Sequence, residues 1–489
     1  MMPFEEKYPA LALAIHIERP QRVDIEGYIE PPGNDCDLLY AGERRSLRPL
    51  RQWLDGGGRL CLIARDLETV AAFAREEPLV VHEGVSIELC DELGQGEARR
   101  LAHTYPFRSP ATTGLPSLFA MELLRETAIA HTHLCDDLYR DALFHNLLRN
   151  YRRIDGSFDA GRLRMPGIPA IICGAGPSLD IELIEACRDR ALIIGGGSAI
   201  PLLGERLQLA LAFDPNEEEY HRLKGASMER LPLIYGARLH RGVLDLPIGS
   251  RGYLRTGTGG AIDLWLEEAL NLAPPISTLT LGRGAMSVTT LAVALAHSMG
   301  CNPIAFVGCD MAQQGGADYA KGVFVKQPAT GVAEHRIEQG GITTKVKWLL
   351  ESEAISDYAA AAPDVAWLNA TPGGLGFAAI PRVDRKVLLS WPERDGIETR
   401  LHEQMSPLSL DVDLPLERVK ASLLECRALI EKGLSPGSLA LFEDEIAYTL
   451  LLEPIACARR RLGPFEAREL IGPLDHMLTA WHDAKYATD

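Results

Sequence analysis

The chain has 489 residues, 46% apolar and 24% charged, which is enough for two or three hydrophobic cores and excludes a disordered, collagen-like or membrane class. A formal net charge of -17 excludes a broad electrostatic grip on nucleic acid or anionic lipid, while leaving room for a local cationic pocket around one nucleotide.

The first residues, MMPFEEKYPALALAIHIERP, are acidic early and hold only six apolar residues in a row, Ala10 to Ile15, so no secretory signal is expected. No later apolar run reaches membrane-spanning length. The ten cysteines are scattered without a C-x-x-C pair, which suits buried thiols in a reducing cytoplasm. A cytoplasmic protein without membrane insertion is the expectation.

Residues 59–74 pass from the apolar run Leu60 to Ala64 into a helix capped by Asp66, a strand-to-helix unit, and Val85 to Leu89 reads as a second strand. From Leu118 to Asn150 the apolar residues recur at three and four, as in Leu118, Met121 and Leu124, so this stretch is helical. Residues 1–150 are expected to form a small α/β domain followed by helices.

Short apolar runs then alternate with helical ones: Ala170 to Cys173, Ala191 to Ile194, Leu209 to Phe213, Leu233 to Tyr235 and Ile304 to Val307. Strands of this kind are buried on both faces, which predicts a mainly parallel, Rossmann-like α/β sheet over 151–390 with ligands at the carboxyl ends of its strands. After Pro392 the series Leu416, Val419, Leu423, Cys426 and Ile430 marks an amphipathic helix. Pro436-Gly437 and Gly463-Pro464 separate two more, so 391–489 is expected to be a helical domain.

The strongest local signal is the run from Ile171 through Cys173-Gly174-Ala175-Gly176-Pro177-Ser178 to Asp180, an apolar strand entering a glycine-rich turn and then a helix near Ile181. Two glycines let backbone amides approach an anion, Ser178 adds a hydroxyl, and a helix start adds its dipole. The turn lacks the lysine of a Walker A loop and the third glycine of a dinucleotide fingerprint. A tight turn that binds nothing would leave the same pattern. Three further strand ends carry polar groups: Gly197 and Ser198, Asp214, and Asp310. Asp214 suits ribose hydroxyls or an amino group, Asp310 a partner or a cation, and both also read as caps or turn residues. His131, His133, Cys135 and Asp136 are not expected to form a metal site, because helical residues two apart point away from each other.

The phrases IPAIICGAGPSLD, GRGAMSVTTLAVALAHSMGCNPIAFVGCDMA and WLNATPGGLGFAAIPRV, in this order, resemble the core of the motility-associated-factor family, a domain shared with MptE-like pterin pyrophosphokinases. The likeness covers about 220 residues. That core in turn resembles bacterial sialyltransferases that use CMP-sialic acid. The resemblance implies nucleotide contacts from Gly174, Ala175, Gly176, Pro177, Ser178, Gly197, Ser198, Asp214, Ser287, Asn369, Gly373 and Gly374. The sialyltransferases carry Asn where this chain has Ala175, and Asn-Pro where it has Asp214-Pro215. Their leaving-group tyrosines fall on Tyr319 and on Ala312, so one of the pair is absent. Asp310 falls in their Gly-Ile-Asp segment, and their general base falls at His335, with Glu338 as the other candidate. The implied reaction transfers a nonulosonic sugar from a CMP-sugar donor to Ser or Thr of a protein acceptor, with inversion, and flagellin is the acceptor the family suggests. Two alternatives stay open. One is an Mg-ATP-dependent 6-hydroxymethylpterin pyrophosphokinase-like enzyme with Mg2+ at Asp214 and Asp310; the other is a non-catalytic nucleotide-binding protein.

Overall fold

The computed structural model describes residues 3–21, 29, 37–40, 44–90, 93–105, 110–113, 117–272, 274, 287–324 and 332–485. The chain divides into two compact units, Met1–Leu134 with Ala329–His335, and Cys135–Pro328 with Arg336–Asp489. No helix among the described residues is long and apolar enough to cross a membrane.

The first unit holds a four-stranded parallel sheet made of β1 (Asp37–Tyr40), β2 (Leu60–Ala64), β3 (Val85–Leu89) and β4 (Pro110–Thr113), in the order β3-β2-β1-β4. β2 is buried along its length: Leu60, Leu62 and Ala64 pack with Val70 and Phe73, while Cys61 and Ile63 pack with Leu101 and Leu123. Its apolar run is therefore continuous because both faces are covered. The helix Leu67–Glu76 starts where expected, with the Asp66 carboxylate accepting the amide of Thr69 at 2.7 Å. The long helical stretch resolves into two helices, Ser117–Leu138 and Arg140–Arg152.

The second unit is built on eight strands. These are β5 (Phe158–Asp159), β6 (Ala170–Cys173), β7 (Leu192–Gly196), β8 (Leu209–Ala212), β9 (Pro232–Tyr235), β10 (Ser250–Tyr253), β11 (Ile304–Val307) and β14 (Trp367–Asn369). Their order is β14-β11-β6-β7-β8-β9-β10-β5, and every pairing is parallel. The antiparallel hairpin of β12 (Arg336–Gln339) and β13 (Ile342–Lys345) stands apart from this sheet.

Alternate strand residues feed two cores. Ile171, Ile193, Ala210 and Leu233 face one side, together with Leu416, Val419, Leu423, Ile455 and Met477 of the C-terminal helices. Ile172, Ile194, Leu209 and Ile234 face the other, against Val293, Leu295 and Ile355. The expected class, a mainly parallel α/β sheet with a helical C-terminal region, is the observed one. β5, β10 and β14 escaped the sequence reading because they are two to four residues long and carry Asp159, Ser250 and Arg251, or Asn369 within them.

The connectivity fixes where a ligand belongs. From β6 the chain steps outward through β7, β8, β9 and β10, then returns to lay β11 on the opposite side of β6. Connections thus leave β6 and β11 in opposite directions, which opens a crevice at their carboxyl ends.

Candidate functional site

The turn after β6 and the segment after β11 continue side by side beyond their strands. The amide of Gly174 donates to the carbonyl of Val307 at 2.9 Å, and that of Gly176 to Gly308 at 2.8 Å. The amides expected to face an anion are thus engaged by the chain itself. Their glycines serve close approach: a Cβ at Gly174 would stand 2.4 Å from the Gly308 carbonyl oxygen, and one at Gly176 would stand 2.0 Å from Asp310 Oδ2. Between Gly176 and Ser178, Pro177 has no N–H to offer.

Asp310 collects both donors of Ser178. Its Oδ2 accepts the Ser178 amide at 3.2 Å and the Ser178 hydroxyl at 2.9 Å, and its Oδ1 accepts the side-chain amide of Gln314. The residue is 1% exposed, and burial pushes its carboxyl above the usual range while the Ser178 bonds and the nearby Arg382 guanidinium pull the other way. Asp180 caps the short helix Ile181–Ala186 by accepting Leu183 N at 2.9 Å, and pairs with Arg385 at 2.7 Å.

The loop after β14 closes the opposite wall. Asn369 is fully buried; its Oδ1 accepts the Thr371 amide at 3.0 Å and its Nδ2 meets no acceptor. Thr371 Oγ1 in turn accepts the amide of Cys309 at 3.2 Å. Gly374 adopts φ +72°, and a Cβ there would meet the Asp310 carbonyl oxygen at 2.0 Å. A Cβ at Gly373 would meet Gln314 Nε2 at 2.2 Å. The Arg382 guanidinium donates to the carbonyls of Gly373 and Gly374 at 2.9 and 2.6 Å, which holds this loop against Asp310.

Tyr319 reaches the same place through backbone pairing. The amide of Ala320 donates to the carbonyl of Ala175 at 2.9 Å, and Tyr319 rests edge-on against Trp348 with ring centroids 6.0 Å apart. Lys345 lies 2.9 Å from Asp318 and over the Trp348 ring at 4.6 Å. Glu338 sits exposed on β12 and accepts the Thr343 hydroxyl at 2.5 Å. Its hairpin is tied to the segment after Asp310 by the Gln313 amide on the Thr343 carbonyl and the Thr344 hydroxyl on the Met311 carbonyl. His335 is exposed and belongs to the first unit, so the two candidates for a base fall in different units.

The ends of β7 and β8 form the next stretch of the rim. Gly197 turns at φ +48°, and the half-buried Ser198 follows. Gly196 leaves space for the helix Val288–Ser298, since a Cβ there would lie 2.2 Å from Val288 Cγ1. Ser287 caps that helix by accepting Thr290 N at 3.3 Å. Asp214, two residues beyond β8, makes a tight turn, its Oδ1 accepting both the amide and the side-chain amide of Asn216, at 2.9 and 2.8 Å.

The structure therefore brings Gly174, Ser178, Asp310, Asn369, Gly373, Gly374 and Tyr319 together beyond the ends of β6, β11 and β14, with Gly197, Ser198, Ser287 and Asp214 beyond the neighbouring strands. Sequence reasoning missed Gln314, Thr371, Arg382 and Glu219. Glu219 carried a usable signal: four residues before buried Leu223, it shares that residue's inward face of the helix Glu217–Leu223. Among the described residues no group of three or more His, Cys, Asp or Glu side chains is arranged to hold a metal ion.

Residues 143–316 match the family described as 6-hydroxymethylpterin diphosphokinase MptE-like. No curated protein matches the chain. Among solved structures, the MAf glycosyltransferase from Magnetospirillum magneticum AMB-1 is similar at 13% identity and a TM-score of 0.46, over 99% of this chain and 79% of that one. The stretch 143–316, which contains the Gly174 turn, the ends of β7 and β8, and Asp310, is thus the part of the chain that is similar to MptE-like proteins.

Proposed function

We propose that the strand-end crevice binds a nucleotide-activated donor and that the protein is a cytoplasmic glycosyltransferase. Its donor would be a CMP-linked nonulosonic sugar, and its acceptor a Ser or Thr hydroxyl of a protein, with flagellin the first candidate. The observation that carries this reading is the convergence of the Gly174–Ser178 turn, Asp310, the Gly373–Gly374 loop and Tyr319 at the point where the strand order reverses.

In this reaction the acceptor oxygen attacks the anomeric carbon as the bond from that carbon to the phosphate oxygen breaks. CMP departs with the electron pair, and the acceptor proton passes to Glu338. The Tyr319 hydroxyl donates to the departing phosphate, while Ser178 stays bonded to Asp310 and shapes the turn. Gln314 and Arg382 keep Asp310 and the Gly373–Gly374 loop in place.

A second reading follows from the family match: a diphosphokinase using Mg-ATP, in which Asp214 and Asp310 would hold the cation. The hydrogen bonds on Asp310 Oδ1 and Oδ2 and on Asp214 Oδ1 weigh against it, because those oxygens would have to give up their donors to take the ion. A thermal-shift panel of CMP, CDP, UDP, GDP and ATP, with and without Mg2+, separates the two. Stabilisation by CMP alone supports the transferase. Stabilisation by ATP only with Mg2+ replaces it with the kinase, and no response to any nucleotide removes both.

A further inference from the structure

One strand end beside the crevice holds an acceptor that has no donor. Glu219 is fully buried in the helix that follows β8, and its Oε2 pairs with the Arg222 guanidinium. Its Oε1 is sealed from solvent and accepts no hydrogen bond. An unsatisfied buried carboxylate oxygen is costly; the paired Arg222 also keeps a buried Nε without an acceptor, so the missing donor is that Nε, a buried water or a group from outside the chain.

The orphan oxygen faces the end of β7. A Cβ placed on Gly197 would stand 3.8 Å from it and meet no other atom within 4 Å. Asp214 lies near enough to add its repulsion to the desolvation that raises the Glu219 carboxyl, although Asp214 Oδ1 is already occupied by Asn216. The position is telling in terms of topology. In parallel sheets that bind nucleotides, a carboxylate at the end of the strand next to the glycine-rich turn accepts the ribose hydroxyls. Here that strand is β7, which pairs with β6 and ends in Gly195-Gly196-Gly197-Ser198 without an acid. Glu219 reaches the same strand end from the helix beyond β8.

We propose that Glu219 Oε1 accepts the ribose 2′-hydroxyl of the bound nucleotide and so makes the site selective for ribonucleotides. The proposal rests on reading the crevice as a nucleotide site. Phosphate would lie at the β6–β11 end and the nucleoside across β7 and β8, where Ser198 and Asp214 are placed to contact it.

The test is calorimetric titration of the full chain with CMP and 2′-deoxy-CMP, and with ATP and 2′-deoxy-ATP. A lost hydrogen bond to a carboxylate predicts at least about tenfold weaker binding of the deoxy member of whichever pair binds. Glu219→Gln, which keeps the shape but not the charge, and Glu219→Asp, which withdraws the oxygen from β7, are each expected to shrink that ratio. Each variant is to be judged at a temperature where its melting curve shows it folded. Equal affinities in the unaltered protein would mean that a buried water or Arg222 Nε satisfies Oε1, and would overturn the assignment while leaving the nucleotide site standing. Full discrimination retained by both variants would do the same. If no ribonucleotide binds, the crevice reading falls and takes this assignment with it.

Discussion

One carboxylate oxygen, Asp310 Oδ2, accepts both the amide and the hydroxyl of Ser178, at 3.2 and 2.9 Å. The turn that would cup an incoming anion is thereby held by an anion of the protein's own. Replacing Ser178 with Ala leaves a buried carboxylate short of one donor, so urea denaturation should show a loss of about 1–3 kcal/mol. An unchanged midpoint would mean that the hydroxyl bond contributes nothing.

Gly176→Ala presses a methyl group into the same carboxylate and into the Gly308 carbonyl, at 2.0 and 2.7 Å. The backbone carbonyl cannot swing away, so the expected cost is about 3 kcal/mol or failure to fold. Gly437→Ala is the matched control. No atom lies within 4 Å of its added Cβ, and stability should hold or rise by up to about 1 kcal/mol.

Glu219 supplies a pH dependence whose sign is the reverse of an ordinary ion-paired carboxylate. Desolvation raises its folded pKa from 4.5 to about 7, so between those values the folded chain keeps a proton that the unfolded chain has released. Its stabilising contribution is complete below pH 4.5 and fades as pH rises to about 7, by a total on the order of 3 kcal/mol. Denaturant midpoints of the parent and of Glu219→Gln between pH 5 and 8 should diverge accordingly, with the variant showing the shallower fall. Parallel curves would show that Glu219 titrates normally.

Tyr319→Phe keeps the edge contact with Trp348 and removes only the hydroxyl. With the proposed reaction, hydrolysis of a CMP-nonulosonate should drop about a hundredfold, the usual cost of removing one donor to a developing negative charge, while the melting temperature stays put. Equal rates would move leaving-group stabilisation to another residue.

The parts that were legible in the sequence are those decided locally. Asp66 announces its helix because a cap needs only the next three residues, and it accepts the expected amide; Asp180 caps the helix near Ile181 in the same way. The Gly174 turn was visible as a turn, but the destination of its amides was not, since it depends on which strand lies beside β6. That partner is β11, far along the chain, and it converts Gly174 and Gly176 from free donors into ladder partners. The spacing of Glu219 from Leu223 was outweighed by its neighbours: Glu217 and Glu218 are exposed, and three consecutive acids read as a solvated helix start until packing puts the third inside.

The pairing of Ile304 with Ala170 also bears on how the molecule is made. As the chain leaves the ribosome, β6 through β10 can associate in order, yet one flank of β6 keeps its N–H and C=O groups bare until β11 has been synthesised. An open, apolar strand flank of this kind invites pairing with another nascent copy. Production of the soluble protein should therefore depend on chaperone supply and slow translation more than its compact final state suggests, and truncation before β11 should yield aggregates rather than a smaller domain.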